Sequence, residues 1–209
     1  MTSDRQRYGV LLVIIAAAFV LQGAGVTGRW ADVVVTGLLG AGVVIALWAA
    51  KVVRWALWLS VVVAAAVTLL SGADPGGAAM RVADALLVAV GPPAVVVGVV
   101  RGLRRRGTVT IEAVLGVLCV YLLLGMFFAF AYGAMDRLGG APFFAQGAAG
   151  TTAHFLYFSF TTLATVGYGD LTARTNFGHT LAVSEALIGQ IYLVTVVSLF
   201  VGNLRRRDR

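Results

Sequence analysis

The sequence predicts an all-helical integral membrane protein, and three observations carry that expectation. Hydrophobic residues make up 60% of the 209, with a mean hydropathy of +0.93. No soluble core of this size hides so much apolar side chain. Charged residues are 12% of the chain, about half the share usual in soluble domains. The third observation is the order of charges between the apolar runs. Twelve of the 16 Lys and Arg fall at Arg5 and Arg7, at Lys51 and Arg54, at Arg101 and Arg104 to Arg106, and at Arg205 to Arg207 with Arg209. These segments alternate with loops carrying Asp32, Asp74, Asp84, Asp136 and Asp170. Alternation in step with the runs is the positive-inside pattern of a polytopic membrane protein.

The same distribution explains the net charge of +7 without nucleic acid, which would need the basic residues gathered on one face. Cys119 is alone, so no intrachain disulfide is expected. No nucleophile–base set, metal cluster or phosphate loop appears, and an enzyme is not expected.

In chain order, the first apolar run extends from about Tyr8 to Val26, behind Arg5 and Arg7. A cleaved signal peptide is the alternative, but its core would be long for that role and its loss would break the charge alternation. Trp30 lies in a short outer turn, where an interfacial aromatic belongs. A second span reaches about Ala50, and a third continues past the Lys51–Arg54 turn to about Leu70. After a Gly/Pro/Asp loop, the fourth runs from about Met80 to Val100, with a kink expected at Pro92. The fifth starts at Val109, with Glu112 favouring the positive end of its helix dipole, and ends near Tyr132. A loose outer loop from Gly133 to Gly150 comes next. The aromatic stretch 152–163 is too short to cross a bilayer but long enough for a re-entrant helix. A sixth span covers about 178–204. This places both termini on the inner, cytoplasmic side of the plasma membrane, with the basic inner segments available to anionic lipid.

Between the short helix and the last span lies Thr165-Val166-Gly167-Tyr168-Gly169-Asp170. Glycine tolerates left-handed backbone that other residues avoid, so a strand with Gly167 and Gly169 in alternation can aim successive carbonyls the same way. With its context of span, short helix and span, the hexapeptide resembles the selectivity filter of the tetrameric potassium channel family. The resemblance covers roughly Val109 to Leu204. It divides the chain into a four-span membrane domain, 1–107, and a pore domain, 108–209, with outer helix 109–132, pore helix 152–163, filter 165–170 and inner helix 178–204.

The resemblance implies a function. Four identical subunits would bring four filter strands around one axis. Carbonyls of Thr165, Val166, Gly167 and Tyr168, with the Thr165 hydroxyl, would replace the water shell of K+ as it passes Gly169. Non-selective relatives depart at Tyr168 and Asp170, where this sequence keeps the potassium pattern. Tyr157 and Phe158 stand where the family commonly carries two tryptophans, and the Tyr157 hydroxyl is in place to bond Asp170. Thr161 stands where bacterial members often carry a glutamate, so the family's slow inactivation is in doubt here.

Glu185 is the candidate substitute, since an ionisable residue within a span is expensive and functional by default. On a helical wheel it lies well away from the face of Gln190, Leu193 and Val197, the expected cavity lining. It is then held by Ser159, Thr161 or Thr162; the alternative is a carboxylate near the outer interface bonded to water or His179. Gly189 stands at the family's gating hinge, and a bend or close packing would each explain a glycine there. His154 and His179 are single and are expected to be surface residues rather than a metal site.

Voltage-gated relatives carry arginines every third residue through the fourth span. Here Arg81 stands at its outer end and there is no other before Arg101, so weak voltage dependence is expected. The expected function is passive, potassium-selective conduction. A non-selective cation pore and a non-conducting, partner-binding membrane protein are the alternatives.

Overall fold

The computed structural model describes residues 2–24, 111–147 and 150–207. Within them lie four helices, α1 (Thr2–Gly23), α2 (Ile111–Leu138), α3 (Thr152–Leu163) and α4 (Asn176–Arg207). The second to fourth spans expected from the sequence, Pro92 and the Arg81–Arg101 interval lie outside the described residues. Two of the described helices are long and apolar enough to cross a membrane, through Ala113–Leu138 and Asn176–Ser198. A shorter apolar segment, Gly9–Gly23, occupies the body of α1.

α2 is the hub. α1 packs along it and also touches α3, while α3 lies between α2 and α4. The core joins Leu11, Ile15 and Ala18 of α1 to Cys119, Leu123, Met126 and Phe130 of α2 and to Phe155 and Phe158 of α3. Phe19 of α1 meets Phe160 of α3 edge-on, with centroids 4.8 Å apart, a favoured aromatic geometry. The first apolar run thereby packs against both α2 and α3.

Helix α2 does not end near Tyr132. It continues through Gly133 to Leu138, because Tyr132 is fully buried and Arg137 favours the negative end of the helix dipole. Gly139 then closes the helix by donating to the Met135 carbonyl at 2.9 Å. The loop beyond it is short and tied down. Asp136 accepts from the Phe143 N–H at 2.8 Å, and Phe144 pairs with Ala173 in an isolated antiparallel bridge. Phe144 is fully buried and stacks on Phe155, centroids 5.2 Å apart. A segment rich in Gly and Ala is ordered by two adjacent phenylalanines.

α3 begins in a capping box: the Thr151 hydroxyl accepts from the His154 N–H at 3.2 Å, and the His154 ring accepts from the Thr151 N–H at 3.5 Å. α4 opens with the Thr175 hydroxyl accepting from the Gly178 N–H at 3.1 Å. It starts two residues before the expected 178 and runs on to Arg207. Only 11% of its most apolar window is buried within its own chain, so most of its surface is free for lipid or another subunit.

Candidate functional site

Segment 165–170 leaves the end of α3 as an extended strand whose backbone alternates in hand. Thr165, Gly167 and Gly169 have φ of 56°, 50° and 82°. Val166 and Tyr168 between them stay on the ordinary negative side. Glycine makes two of the three left-handed positions inexpensive; Thr165 holds the third without that help and is the one strained residue.

Backbone bonds from α3 hold this conformation. The N–H groups of Val166 and Gly167 both donate to the Thr161 carbonyl, at 2.8 and 3.1 Å, and Thr165 donates to the Thr162 carbonyl at 2.9 Å. Thr161 and Thr162 therefore support the segment through their backbone carbonyls. The Thr161 hydroxyl instead donates to Phe158 within α3, at 3.0 Å. The carbonyls of Thr165, Val166, Gly167 and Tyr168 accept no backbone hydrogen bond from the described residues. Residues 165–170 are all exposed on the single chain, so this row of carbonyls is open to groups outside the chain's own backbone.

At the Asp170 end, the Tyr157 hydroxyl donates to Asp170 at 2.8 Å, and its ring stacks on Tyr168 with planes 9° apart. The bond to Asp170 holds the phenol in its neutral form and raises its pKa above the usual tyrosine value. Tyr157, Val166 and Tyr168 also line a cleft of about 350 Å³ between α1, α3 and the segment, with Thr161 at its wall. No carboxylate stands on this side among its lining residues.

The carboxylate is on the other side. Glu185 of α4 is fully buried, and its Oε1 lies 2.5 Å from Ser159 Oγ of α3, a hydrogen-bond distance. Tyr132 of α2 donates to its second oxygen at 2.6 Å. Ser159 also bonds the Gly125 carbonyl of α2 at 2.7 Å. Thr161 and Thr162, the other two hydroxyls considered for Glu185, make no bond to it, and neither does His179, whose ring bonds the Ala173 carbonyl at 2.7 Å. Tyr132 was not distinguishable in the sequence. Its signal is faint: one phenol in an aromatic-rich run, far from Glu185 along the chain.

Close packing brings α4 to α3 at Gly189. A Cβ there would lie 2.3 Å from the Leu163 carbonyl oxygen, and α4 stays helical through this point. Of the two explanations for this glycine, the structure displays close packing. Gln190, Leu193 and Val197 are exposed on the single chain. His154 serves as a helix cap. Among the described residues no group of three His, Cys, Asp or Glu is placed to hold a metal ion.

No curated protein and no solved structure matches the chain. Residues 116–206 match the model of a family described as ion channel, a stretch that takes in most of α2, all of α3, the 165–170 segment and nearly all of α4.

Proposed function

We propose that the protein is a potassium-selective channel, a homotetramer with six spans and a re-entrant pore helix in each subunit. The observation that carries this reading is the strand 165–169, alternating in hand and with its carbonyls unclaimed by the backbone. Carbonyl rings from four copies would replace the hydration shell of K+, with the Thr165 hydroxyls as the innermost ring. One strand cannot close a ring, so copies must assemble around an axis. The exposed apolar surface of α4 supplies material for that assembly.

α3 aims its C-terminal end at the inner end of the filter. Its dipole, equivalent to about half a negative charge there, favours a cation waiting in the cavity. Gln190, Leu193 and Val197 then line that cavity, and Gly189 sets how closely the inner helix approaches the pore helix. Conduction is passive and weakly voltage-dependent. Both termini are cytoplasmic, and the basic inner segments attract anionic lipid.

Potassium flux from liposomes holding the purified protein, run against sodium, tests the reading. Selective flux is expected, and Gly167→Asp should abolish it by placing a side chain at a left-handed position. Equal sodium and potassium flux would replace this reading with a non-selective pore. Absence of flux across voltage and pH would favour a partner-binding membrane protein.

A further inference from the structure

Behind the filter, three oxygen–oxygen contacts run in series. Tyr132 Oη lies 2.6 Å from Glu185 Oε2, Glu185 Oε1 lies 2.5 Å from Ser159 Oγ, and Ser159 Oγ lies 2.7 Å from the Gly125 carbonyl oxygen. Each distance is that of a hydrogen bond, and each bond needs one proton between its two oxygens. The Tyr132 and Ser159 hydroxyls supply one proton each, and the Gly125 carbonyl supplies none.

If Glu185 is ionised, two protons must serve three contacts. Ser159 then bonds either the carboxylate or the carbonyl, and the other pair of acceptors faces each other bare. If Glu185 carries a proton, every contact is satisfied. Tyr132 donates to Oε2, Glu185 donates from Oε1 to Ser159, and Ser159 donates to Gly125.

The surroundings point the same way. Glu185 is fully buried among three helices, and a buried carboxylate without a cation is costly. Its electrostatic neighbours on α2 are the phenols Tyr121 and Tyr132. α3 offers it the Ser159 hydroxyl, while His154 and Tyr157 of that helix bond Thr151 and Asp170 instead. On its own helix His179 is bonded to Ala173. No Lys or Arg among the described residues pairs with it.

We propose that Glu185 is held as a neutral carboxylic acid whose proton orders the chain Tyr132 to Glu185 to Ser159 to Gly125, pinning α3 between α2 and α4. Glu185 is a positioning residue. The α3 carbonyl of Thr161, which holds the N–H groups of Val166 and Gly167, lies two residues after Ser159. Ionisation at alkaline pH breaks one link of the chain and loosens the support of the filter. This functional consequence rests on the channel reading; the protonation state does not.

The chain has two glutamates, Glu112 and Glu185. Labelling glutamate with 13C at the side-chain carboxyl, in the full-length E112Q protein in lipid, leaves Glu185 as the sole reporter. The isotope-shifted carbonyl stretch of a protonated carboxyl is expected at neutral pH, giving way to carboxylate bands as pH rises. Carboxylate bands alone at neutral pH would overturn the proposal.

Flux from the same liposomes supplies the second readout. E185A should lose selective flux, and E185Q should restore it, because the amide donates to Ser159 while its oxygen accepts from Tyr132. E185Q should also be insensitive to any loss of flux that ionisation of Glu185 brings in alkaline solution. An E185Q protein as impaired as E185A would overturn the proposal. A protonated carboxyl in a protein that conducts under no condition would leave the assignment standing and remove the channel reading instead.

Discussion

Gly189 of α4 abuts the carbonyl of Leu163, the last residue of α3, so closely that a methyl group at position 189 would stand 2.3 Å from that oxygen. α4 thus meets α3 at the turn from which segment 165–170 departs. Gly189→Ala should force the two apart, lowering the stability of the assembled protein by about 1 to 3 kcal/mol, as overpacking does. Thermal unfolding in detergent reads the stability, and flux reads the filter. An unchanged melting temperature with wild-type flux would show that α4 has slack at this point.

Gly125 is the corresponding close approach between α2 and α3. A Cβ there would come within 2.5 Å of the Phe160 ring, and the same residue presents its carbonyl to Ser159. Gly125→Ala should destabilise by about 1 to 3 kcal/mol and impair flux, and Ser159→Ala, which removes the bond to the Gly125 carbonyl, should impair flux too. Because both substitutions strike the same contact, the double variant should be less damaged than the sum of the two.

Phe144 anchors the outer loop by stacking on Phe155 in a fully buried position. Phe144→Ala should cost about 3 to 5 kcal/mol, the usual cost of emptying a phenylalanine site. Protease sensitivity between Leu138 and Thr151 should rise in parallel. A loop that stays resistant would place its order in the Asp136–Phe143 bond instead.

Tyr157 and Asp170 brace segment 165–170 where it leaves for α4, and the pH dependence of that brace has a definite sign. The bond raises the pKa of the phenol, so the neutral donor is favoured in the folded protein. The support it supplies is complete below the ordinary tyrosine value, about 10, and is lost as pH climbs through the raised one. Tyr157→Phe should conduct less steadily at neutral pH and show no further change in strongly alkaline solution. E185Q should keep this alkaline transition, so paired flux–pH curves of Y157F and E185Q separate the two groups.

Several parts of the site are legible in the sequence because they are local. The alternation of left-handed positions comes from Gly167 and Gly169, and the short helix before them from an apolar stretch flanked by Thr151 and the filter. The match of residues 116–206 to an ion-channel family rests on the same neighbourhood. The extent of α2 was less legible. Gly133 and the Gly/Ala composition after it suggest a loop, yet burial of Tyr132 and the pair Phe143–Phe144 carries the helix to Leu138 and orders the loop beyond it.

The sequence by itself determined that this is a helical membrane protein with a short strand in which two glycines alternate with larger residues. Composition, charge order and glycine spacing are properties of short stretches and need no partner to express themselves. Only the tertiary structure decided which groups stand behind that strand. Tyr132 and Glu185 are 53 residues apart, and Ser159 and Glu185 are 26 apart. Helical periodicity turns Glu185 away from the face of Gln190, Leu193 and Val197 but cannot choose among the hydroxyls of α3 or find a phenol on α2. That choice is made by packing, where Gly125 and Gly189 admit α3 closely enough for one serine to reach both a carbonyl and a buried acid.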